Sequence, residues 1–584
     1  MIEDFLLQVR KPARYIGQEW NVSRKNFGDA AIKFALVFPD LYEVGMSNLG
    51  TRIVYSVLNS SPDVACERFF SVDDDMEEKL RSAGESIFSL ESRKPLRDFD
   101  IVGFSLDSEL DYTNVLRILD LGSVPLKATQ RNHTHPLVIG GGGCTLNPEP
   151  MHEFFDLFII GEAEDIIQEF IEAYRRHKTK FKAGALAKEE LLFVFSQLEG
   201  VYVPSFYEVA YSAAGDGKIT GFSPKIKGVP KKIKKRFVRD LDKSHFPLDW
   251  LLPYIQIIHD RVTLEVMRGC PNRCRFCQAR SQYFPFRIRN AESILHLAGC
   301  SYKRTGYEEI SLIGLSVTDY PGIDKLLESL NALLGGRGIS ISLPSIKAKA
   351  GTGKLSSIIA RVKKTGLTFA PEAGSERLRQ MLAKDFNEED FFKALEEAYL
   401  SGYQHVKLYF MIGLPYESQE DLDEIINFSV RVSELRRKAK SSPAQVNISI
   451  NALIPKPHTA FQWFGMETAE GLKAKQDHLR KAAKNKRLRL AFHYRAMSFL
   501  EGVLSRGDRR LSDVIFLAFA KGAKFDAWGD HFRAEKWMEA FEEKQIDPAF
   551  YLKEKSVHDI LPWDFIDTGI DKETLVADYN KILQ

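Results

Sequence analysis

The chain has 584 residues, 44% of them apolar and 27% charged, and its 81 basic side chains nearly balance 79 acidic ones for a formal charge of +2. This composition excludes a largely disordered chain, and the charge balance advertises neither nucleic acid nor an anionic membrane as a partner. No apolar run is long enough to span a bilayer, the opening MIEDFLLQVRKP lacks the basic start of a signal peptide, and six cysteines do not make a disulfide scaffold, so a cytoplasmic protein is expected.

Four regions follow in chain order: 1–180, 181–255, 256–465 and 466–584. In the first, AIKFALVF, DIVGFSL, PLVIGGGG and LFIIG read as strands, alternating with helical segments such as LGTRIVYSVLN, DYTNVLRILDLG and AEDIIQEFIEAYRR. Such alternation predicts a parallel sheet covered on both faces, with ligands at the carboxyl ends of its strands. Those ends carry Pro39 and Asp40, Ser105, Gly140 to Gly143, and Gly161 with Glu162. The second region is β-rich, with VYVPSFYEVAY and KITGFSPKIKG around a Gly-Asp-Gly turn. Its basic run from Lys225 to Arg236 reads first as a solvated loop or a lysine-guarded edge strand. Contact with nucleic acid or an acidic substrate is its second reading, and the run lacks interleaved aromatics on which bases stack.

Between 256 and 465 the βα rhythm returns six times, with VTLEVM, EISLIG, ISISLP, LTFAP, HVKLYFMIG and VNISINALIP as strands. This predicts a partial (β/α)6 barrel, smaller than the eight-stranded form. The last region reads as mainly helical, with one strand-like stretch at LRLAFHY and with Trp528, Trp537 and Trp563 as core or interface fillers.

The chemistry concentrates in RGCPNRCRFCQAR, where Cys270, Cys274 and Cys277 fall within eight residues directly after the first barrel strand. A structural zinc wants four closed ligands, and no fourth cysteine or histidine is near; a disulfide leaves one thiol over. Three thiolates on a four-iron cubane leave one iron open, which suits a catalytic cluster. After the other barrel strands come Gly314, Ser316 and Asp319; Ser345 and Lys347; Glu372 and Ser375 in APEAGSER; Gly413, Pro415 and Glu417 in IGLPYES; and Lys456 with His458 in PKPH.

The C-x3-C-x2-C spacing resembles the signature of the radical SAM superfamily. The resemblance implies that Cys270, Cys274 and Cys277 each ligate one iron of a [4Fe-4S] cluster. Its fourth iron would chelate S-adenosylmethionine, whose reductive cleavage gives a 5′-deoxyadenosyl radical that abstracts a substrate hydrogen. It places Phe276 near the adenine. IGLPYES, with Gly413 and Pro415, is similar to the turn whose backbone approaches the adenine, and APEAGSER, with Glu372 and Ser375, to the stretch that contacts the methionine or ribose. LIGLSVTDY, with Gly314 and Ser316, departs from the usual Gly-Gly-Glu, so Ser316 or Asp319 stands where the amino-group contact is expected. For His458 the reading as a backbone-bonded cap of the barrel stands slightly ahead of one as a proton-transferring group.

FPDLYEVGMSNLG, FDIVGFSLDSELDYTNVL, NPEP, LIPKPHTAFQW and LSRGDRRL carry the resemblance across nearly the whole chain, to radical SAM proteins with an N-terminal domain similar to flavodoxin-like, cobalamin-binding domains. Ala460 stands where that pattern has proline. None of the 13 histidines sits in Asp-x-His-x-x-Gly, so the lower axial ligand of such domains is missing. The resemblance therefore implies a [4Fe-4S] cluster, S-adenosylmethionine and, as a further candidate, cobalamin. An electron donor such as flavodoxin or ferredoxin and an unidentified substrate are the expected partners. Three alternatives stand beside the parent reading: a cobalamin-dependent methyl or alkyl transferase, an RNA-modifying methylthiolase, and a non-catalytic cluster-binding regulator. Methylthiolation needs a second cluster, against which the wide separation of Cys66, Cys144 and Cys300 argues.

Overall fold

The structure, a computed structural model, describes residues 2–213, 216–343 and 366–584. Ser345, Lys347 and the expected helical stretch 355–365 lie outside the described residues. Strands β1 (Ile32–Phe38), β2 (Val64–Phe70), β3 (Ile101–Ser105), β4 (Leu137–Gly141), β5 (Leu157–Ile159) and β6 (Val201–Tyr202) form one sheet in the order β2-β1-β3-β4-β5-β6. All neighbours are parallel except β5 and β6. β1 is a nearly continuous apolar run because helices cover both faces of the sheet. The strand order reverses between β1 and β3, and that switch point opens a crevice at the carboxyl ends of the strands. The helix Leu49–Ser60 starts beside it, capped by Asn48 Oδ1, which accepts from Thr51 N at 2.8 Å.

β7 (Tyr207–Tyr211) and β8 (Ile219–Pro224) make an antiparallel hairpin. β9 (Ile233–Lys234) lies in the basic run. Lys231, Lys232 and Lys234 are exposed, as a guarded edge requires, but Lys235 is only 2% exposed and turns inward. The solvated reading thus fails at Lys235. An extended segment alternates its faces, and the inward face here meets the body of the protein.

The barrel region opens with β10 (Val262–Glu265), followed by the short antiparallel pair β11 (Met267–Arg268) and β12 (Arg287–Ile288). β13 (Glu309–Ile313) and β14 (Ser340–Ser342) join β10 in a parallel sheet. β15 (Leu367–Glu372), β16 (His405–Ile412), β17 (Gln445–Ala452) and β18 (Leu488–Phe492) form a second parallel sheet. All six expected barrel strands form, within the expected α/β architecture. LRLAFHY adds a seventh, because β18 extends the ladder beyond β17.

After β18 the chain is mainly helical, as expected, and returns to its beginning. Side chains between Met497 and Ile566 share one hydrophobic core with the N-terminal sheet. β19 (Ile566–Asp567) pairs with β9, Trp537 and Trp563 are buried, and half-exposed Trp528 donates from Nε1 to Asp40 Oδ1 at 2.9 Å.

Candidate functional site

The three clustered cysteines sit on a loop whose base is closed by the β11–β12 pair. Gly269 stands at φ +81°, and a Cβ there would come within 2.7 Å of the Tyr283 carbonyl oxygen, so the neck of the loop requires glycine. All three thiols are free and partly accessible. Asn272 Nδ2 donates to Cys270 Sγ at 3.4 Å and to Asp319 Oδ2 at 3.0 Å, and Ser316 Oγ donates to the same Asp319 oxygen at 2.7 Å. Cys277 caps the helix Gln278–Gln282. Burial raises the Cys277 thiol, while the backbone N–H groups of Arg280 and Ala279 favour its thiolate. Burial also pushes Cys274 up to about 11, opposed mainly by the Lys384 ammonium. Buried thiols that disfavour each other's ionisation are the donor set that a bound metal cluster compensates. Among the described residues no three ligating side chains converge on one ion. A cubane asks for less convergence, since each thiolate meets a different iron.

The other expected residues fall into separate groups. Ser316 and Asp319 belong to the cysteine loop through Asn272. Phe276 packs on a cluster that includes Leu378, Leu414 and Phe461. Glu372 ends β15 at φ +71°, and its Oε1 accepts from Lys384 Nζ at 3.0 Å; burial raises its carboxyl and Lys384 lowers it. Ser375 is engaged in structure: its Oγ accepts from Leu378 N as a helix cap and donates to Asp421 Oδ1 at 2.5 Å. Gly413, at φ +79°, donates from N to Glu417 Oε2 at 2.8 Å, and Pro415 follows in the same turn. Gly314 faces Met267, whose Cγ would lie 2.4 Å from an added Cβ. His458 is a buried cap: Nε2 bonds to the Leu146 carbonyl at 3.1 Å, and burial pushes its pKa down to about 4.

A cavity of about 500 Å³ runs from the switch-point crevice to the barrel. Its deep part lies between β1, β3, β4 and the helix Leu49–Ser60, with Phe34, Ile53 and Ile139 as apolar walls. The Phe34 ring covers Gly103, where a Cβ would fall 2.6 Å from it, whereas a Cβ on Gly141 would meet nothing closer than 4.0 Å. Ser105, Gly140 to Gly143, Gly161 and Glu162 line this space as expected; Asp40 instead turns to Trp528. The mouth is framed by buried charges. Arg268, two residues before Cys270, donates to Glu162 (2.8 Å), Glu164 (2.6 Å) and Glu265 (2.9 Å), and Arg287 also holds Glu162 (2.6 Å). Lys235 lines the cavity and donates to the Phe284 carbonyl at 2.7 Å; burial pushes its pKa down to about 8.

This network was not anticipated. Glu162 and Glu164 lie more than a hundred residues before Arg268, so no local pattern marks their contact. Cys66 lies on β2, Cys144 in the short turn Gly143–Leu146 and Cys300 on the helix Ala291–Thr305, so the remaining cysteines occupy separate elements.

The family model for radical SAM proteins, N-terminal, matches residues 50–204, and that for the radical SAM superfamily matches residues 264–429, which include the cysteine loop. The uncharacterized protein MJ0966 of Methanocaldococcus jannaschii is 28% identical over 513 residues, covering 88% of this chain and 97% of that protein. The ribosomal protein uS12 methylthiotransferase RimO of Pelotomaculum thermopropionicum is 26% identical over 178 residues, 28% of this chain and 39% of that enzyme. Among solved structures, the cobalamin-dependent S-adenosylmethionine radical enzyme OxsB, with aqua-cobalamin and S-adenosylmethionine bound, matches at a TM-score of 0.48 and 13% identity, over 94% of this chain and 79% of that one. The radical S-adenosylmethionine methyltransferase TsrM of Kitasatospora setae, with tryptophan and a SAM analog bound, matches at 0.45 and 12% over 71% and 72%. Among the described residues no helix is long and apolar enough to cross a membrane. With the two models in sequence and the three cysteines inside the second, the chain belongs to the radical SAM superfamily, as an enzyme whose cofactors are a [4Fe-4S] cluster and S-adenosylmethionine.

Proposed function

We propose that the enzyme holds its cluster through Cys270, Cys274 and Cys277, binds S-adenosylmethionine at the cluster's open iron, and carries cobalamin in the cavity between the N-terminal sheet and the barrel. The observation that carries the reading is the loop itself: three free thiols at a closed neck, the last of them at the N-terminus of the helix Gln278–Gln282. When bound, the reduced cluster would supply the one electron that cleaves the S–C5′ bond of S-adenosylmethionine into methionine and a 5′-deoxyadenosyl radical. The chain's own residues do the rest. Asn272 fixes the first thiol and tunes it by a hydrogen bond to sulfur. Lys384 favours the second thiolate, and the start of the helix Gln278–Gln282 favours the third. We assign Glu372 to the ammonium or ribose hydroxyls of S-adenosylmethionine, where a carboxylate makes charge-assisted bonds. Gly413 and Pro415 then offer backbone to the adenine, with Phe276 packed beside it.

The cavity favours the cobalamin-bearing version, and with it a methyl or alkyl transfer. Its deep apolar part suits the flat base of a nucleotide tail, and the open space over Gly141 leaves room for that base. No histidine lines it among the described residues. The reading sets the enzyme in the reducing cytoplasm, with flavodoxin or ferredoxin as electron donor; nucleic acid has no further support.

Anaerobic reconstitution tests it. The protein is expected to take up about four irons and four sulfides per chain and to form 5′-deoxyadenosine when reduced with S-adenosylmethionine. Cys274→Ala is expected to abolish the visible absorbance and the 5′-deoxyadenosine together. Retention of zinc on intact thiols in place of iron would sink the assignment.

A further inference from the structure

A second cavity, of about 390 Å³, adjoins the first and shares Asn48, Asp107 and Gln282 with it. Its character is opposite. Where the first is walled by apolar strands, this one is lined by Asp107, Glu109, Lys456, Glu501, Gln278 and Gln282. These come from four parts of the molecule: the loop after β3, the segment after β17, a C-terminal helix, and the helix that starts at Cys277. Gln278 follows Cys277 directly and Gln282 lies one helical turn further along the same face. Both amides border the space and make no hydrogen bond to another described residue.

The charges set what this space accepts. Lys456 Nζ lies 3.0 Å from both Glu109 oxygens and 2.9 Å from Glu501 Oε1, so one ammonium is shared by two carboxylates. Asp107 adds a third carboxylate. Its Oδ2 accepts from Asn48 Nδ2 at 2.7 Å and from Ser105 Oγ at 3.4 Å, and its Oδ1 faces the Gly143 N–H at 3.5 Å. Those donors are neutral, and burial raises the Asp107 carboxyl, so its charged form lacks a cation beside it. No second cation lines the wall among the described residues. Three carboxylates against one ammonium leave an excess of negative charge in a space walled by protein. There a matching cation is held more strongly than in water, and an anion is rejected.

We propose that this cavity is the substrate site and that its substrate is a small polar molecule bearing a protonated amine. The amine is held by Asp107 with help from Glu501, and Gln278 and Gln282 read neighbouring hydroxyl or amide groups. The volume is that of a small-molecule pocket. The assignment rests on the cluster reading above, since Gln278 ties the site to the third cysteine, and it extends that reading to a substrate class.

Putrescine, 1,4-butanediol and succinate are matched in length and differ in charge. Binding of each is measured by equilibrium dialysis to anaerobically reconstituted protein with S-adenosylmethionine present. Putrescine is expected to bind at least tenfold more tightly than the diol, and succinate not to bind. Asp107→Asn is expected to weaken putrescine at least tenfold, and Glu501→Gln, at the rim, severalfold. Iron content, measured on the same samples, separates the two ideas. Protein that takes up no iron fails the cluster reading. Protein with a full cluster that binds putrescine no better than the diol, prefers succinate, or binds putrescine equally in both variants overturns the substrate assignment.

Discussion

The N-terminal sheet and the barrel both present the carboxyl ends of parallel strands to the middle of the molecule, yet they spend their polar residues differently. At the sheet edge most charged groups are already committed, Asp107 being the exception. Asp40 is bonded to Trp528, and Glu162 is held by Arg268 and Arg287. What remains open there is an apolar slot with glycines at its rim. At the barrel edge the cysteine loop holds three thiols without covalent partners, while Asn272 donates to the Cys270 sulfur and the Lys384 ammonium favours the Cys274 thiolate. Ligand capacity is therefore read from what the fold leaves unspent. By that measure the sheet offers room and the barrel offers chemistry.

The largest effect is expected where the two edges are tied together. Arg268 satisfies Glu162, Glu164 and Glu265 in a buried setting, and all four side chains are nearly excluded from solvent. Arg268→Met keeps much of the volume and leaves Glu164 and Glu265 without this cation, at a cost of about 3–5 kcal/mol for a broken buried network. Urea unfolding at neutral pH reads the loss directly. Because Arg268 lies two residues before Cys270, the variant is also expected to reconstitute less iron than wild type. A cost under about 1 kcal/mol would mean that the sheet and barrel are joined by apolar packing and that these charges are not part of the joint.

A smaller effect is expected at Asp526, where the C-terminal helices close over the N-terminal region. Its Oδ2 accepts from Thr113 Oγ1 at 2.7 Å and its Oδ1 from Trp537 Nε1 at 3.1 Å, yet burial pushes its pKa up to about 6. A carboxyl raised in the folded state is easier to ionise once unfolded. Stability from the protonated form is complete below the unfolded value near 4 and is lost as pH rises to about 6. Above that the folded protein carries a penalty of about 3 kcal/mol for the charged group. Asp526→Asn can keep both hydrogen bonds and removes the charge. It is expected to be more stable than wild type at pH 7.5, with the difference shrinking toward zero as pH approaches 4. Equal differences at both pH values would show that the side chain acts through shape alone.

How much of this was legible depended on whether the signal was local. The cysteine loop was readable because its ligands lie within eight residues. The six barrel strands were readable because their apolar runs sit between good helical segments. β2 was missed because Glu67 and Arg68 interrupt VACERFF; both are buried, and Arg68 is paired with Glu19 and Glu91 on either side. A buried salt bridge makes a strand look like a loop. Ser375 was marked as a binding residue by its motif, while its hydroxyl serves a helix cap and Asp421, a partner 46 residues away. Both cavities were out of reach, since each is assembled from segments hundreds of residues apart, although the glycine run after β4 marked one wall.

Gly141 offers the finest test of the contrast between room and chemistry. It ends β4, pairs with Ser105 across the ladder, and its carbonyl accepts from Leu106 N at 2.7 Å. Its backbone is outside the left-handed region, so a β-branched residue fits the strand without conformational strain. The only neighbour near an added Cβ is the Ile159 carbonyl at 4.0 Å, and beyond it lies the cavity. Gly141→Val thus places an isopropyl group where the tail of a bound cofactor would pass, while touching nothing on the cysteine loop. Cobalamin affinity, followed by the visible spectrum of protein titrated with hydroxocobalamin, is expected to fall about tenfold, equivalent to about 1.4 kcal/mol. Iron content and the cluster spectrum are expected to match wild type, because the thiols and their partners are unchanged. A variant that binds cobalamin as wild type does would remove the cofactor from this slot. One that loses cluster and cobalamin together would show that the two strand edges are not independent and that the division drawn between them is wrong.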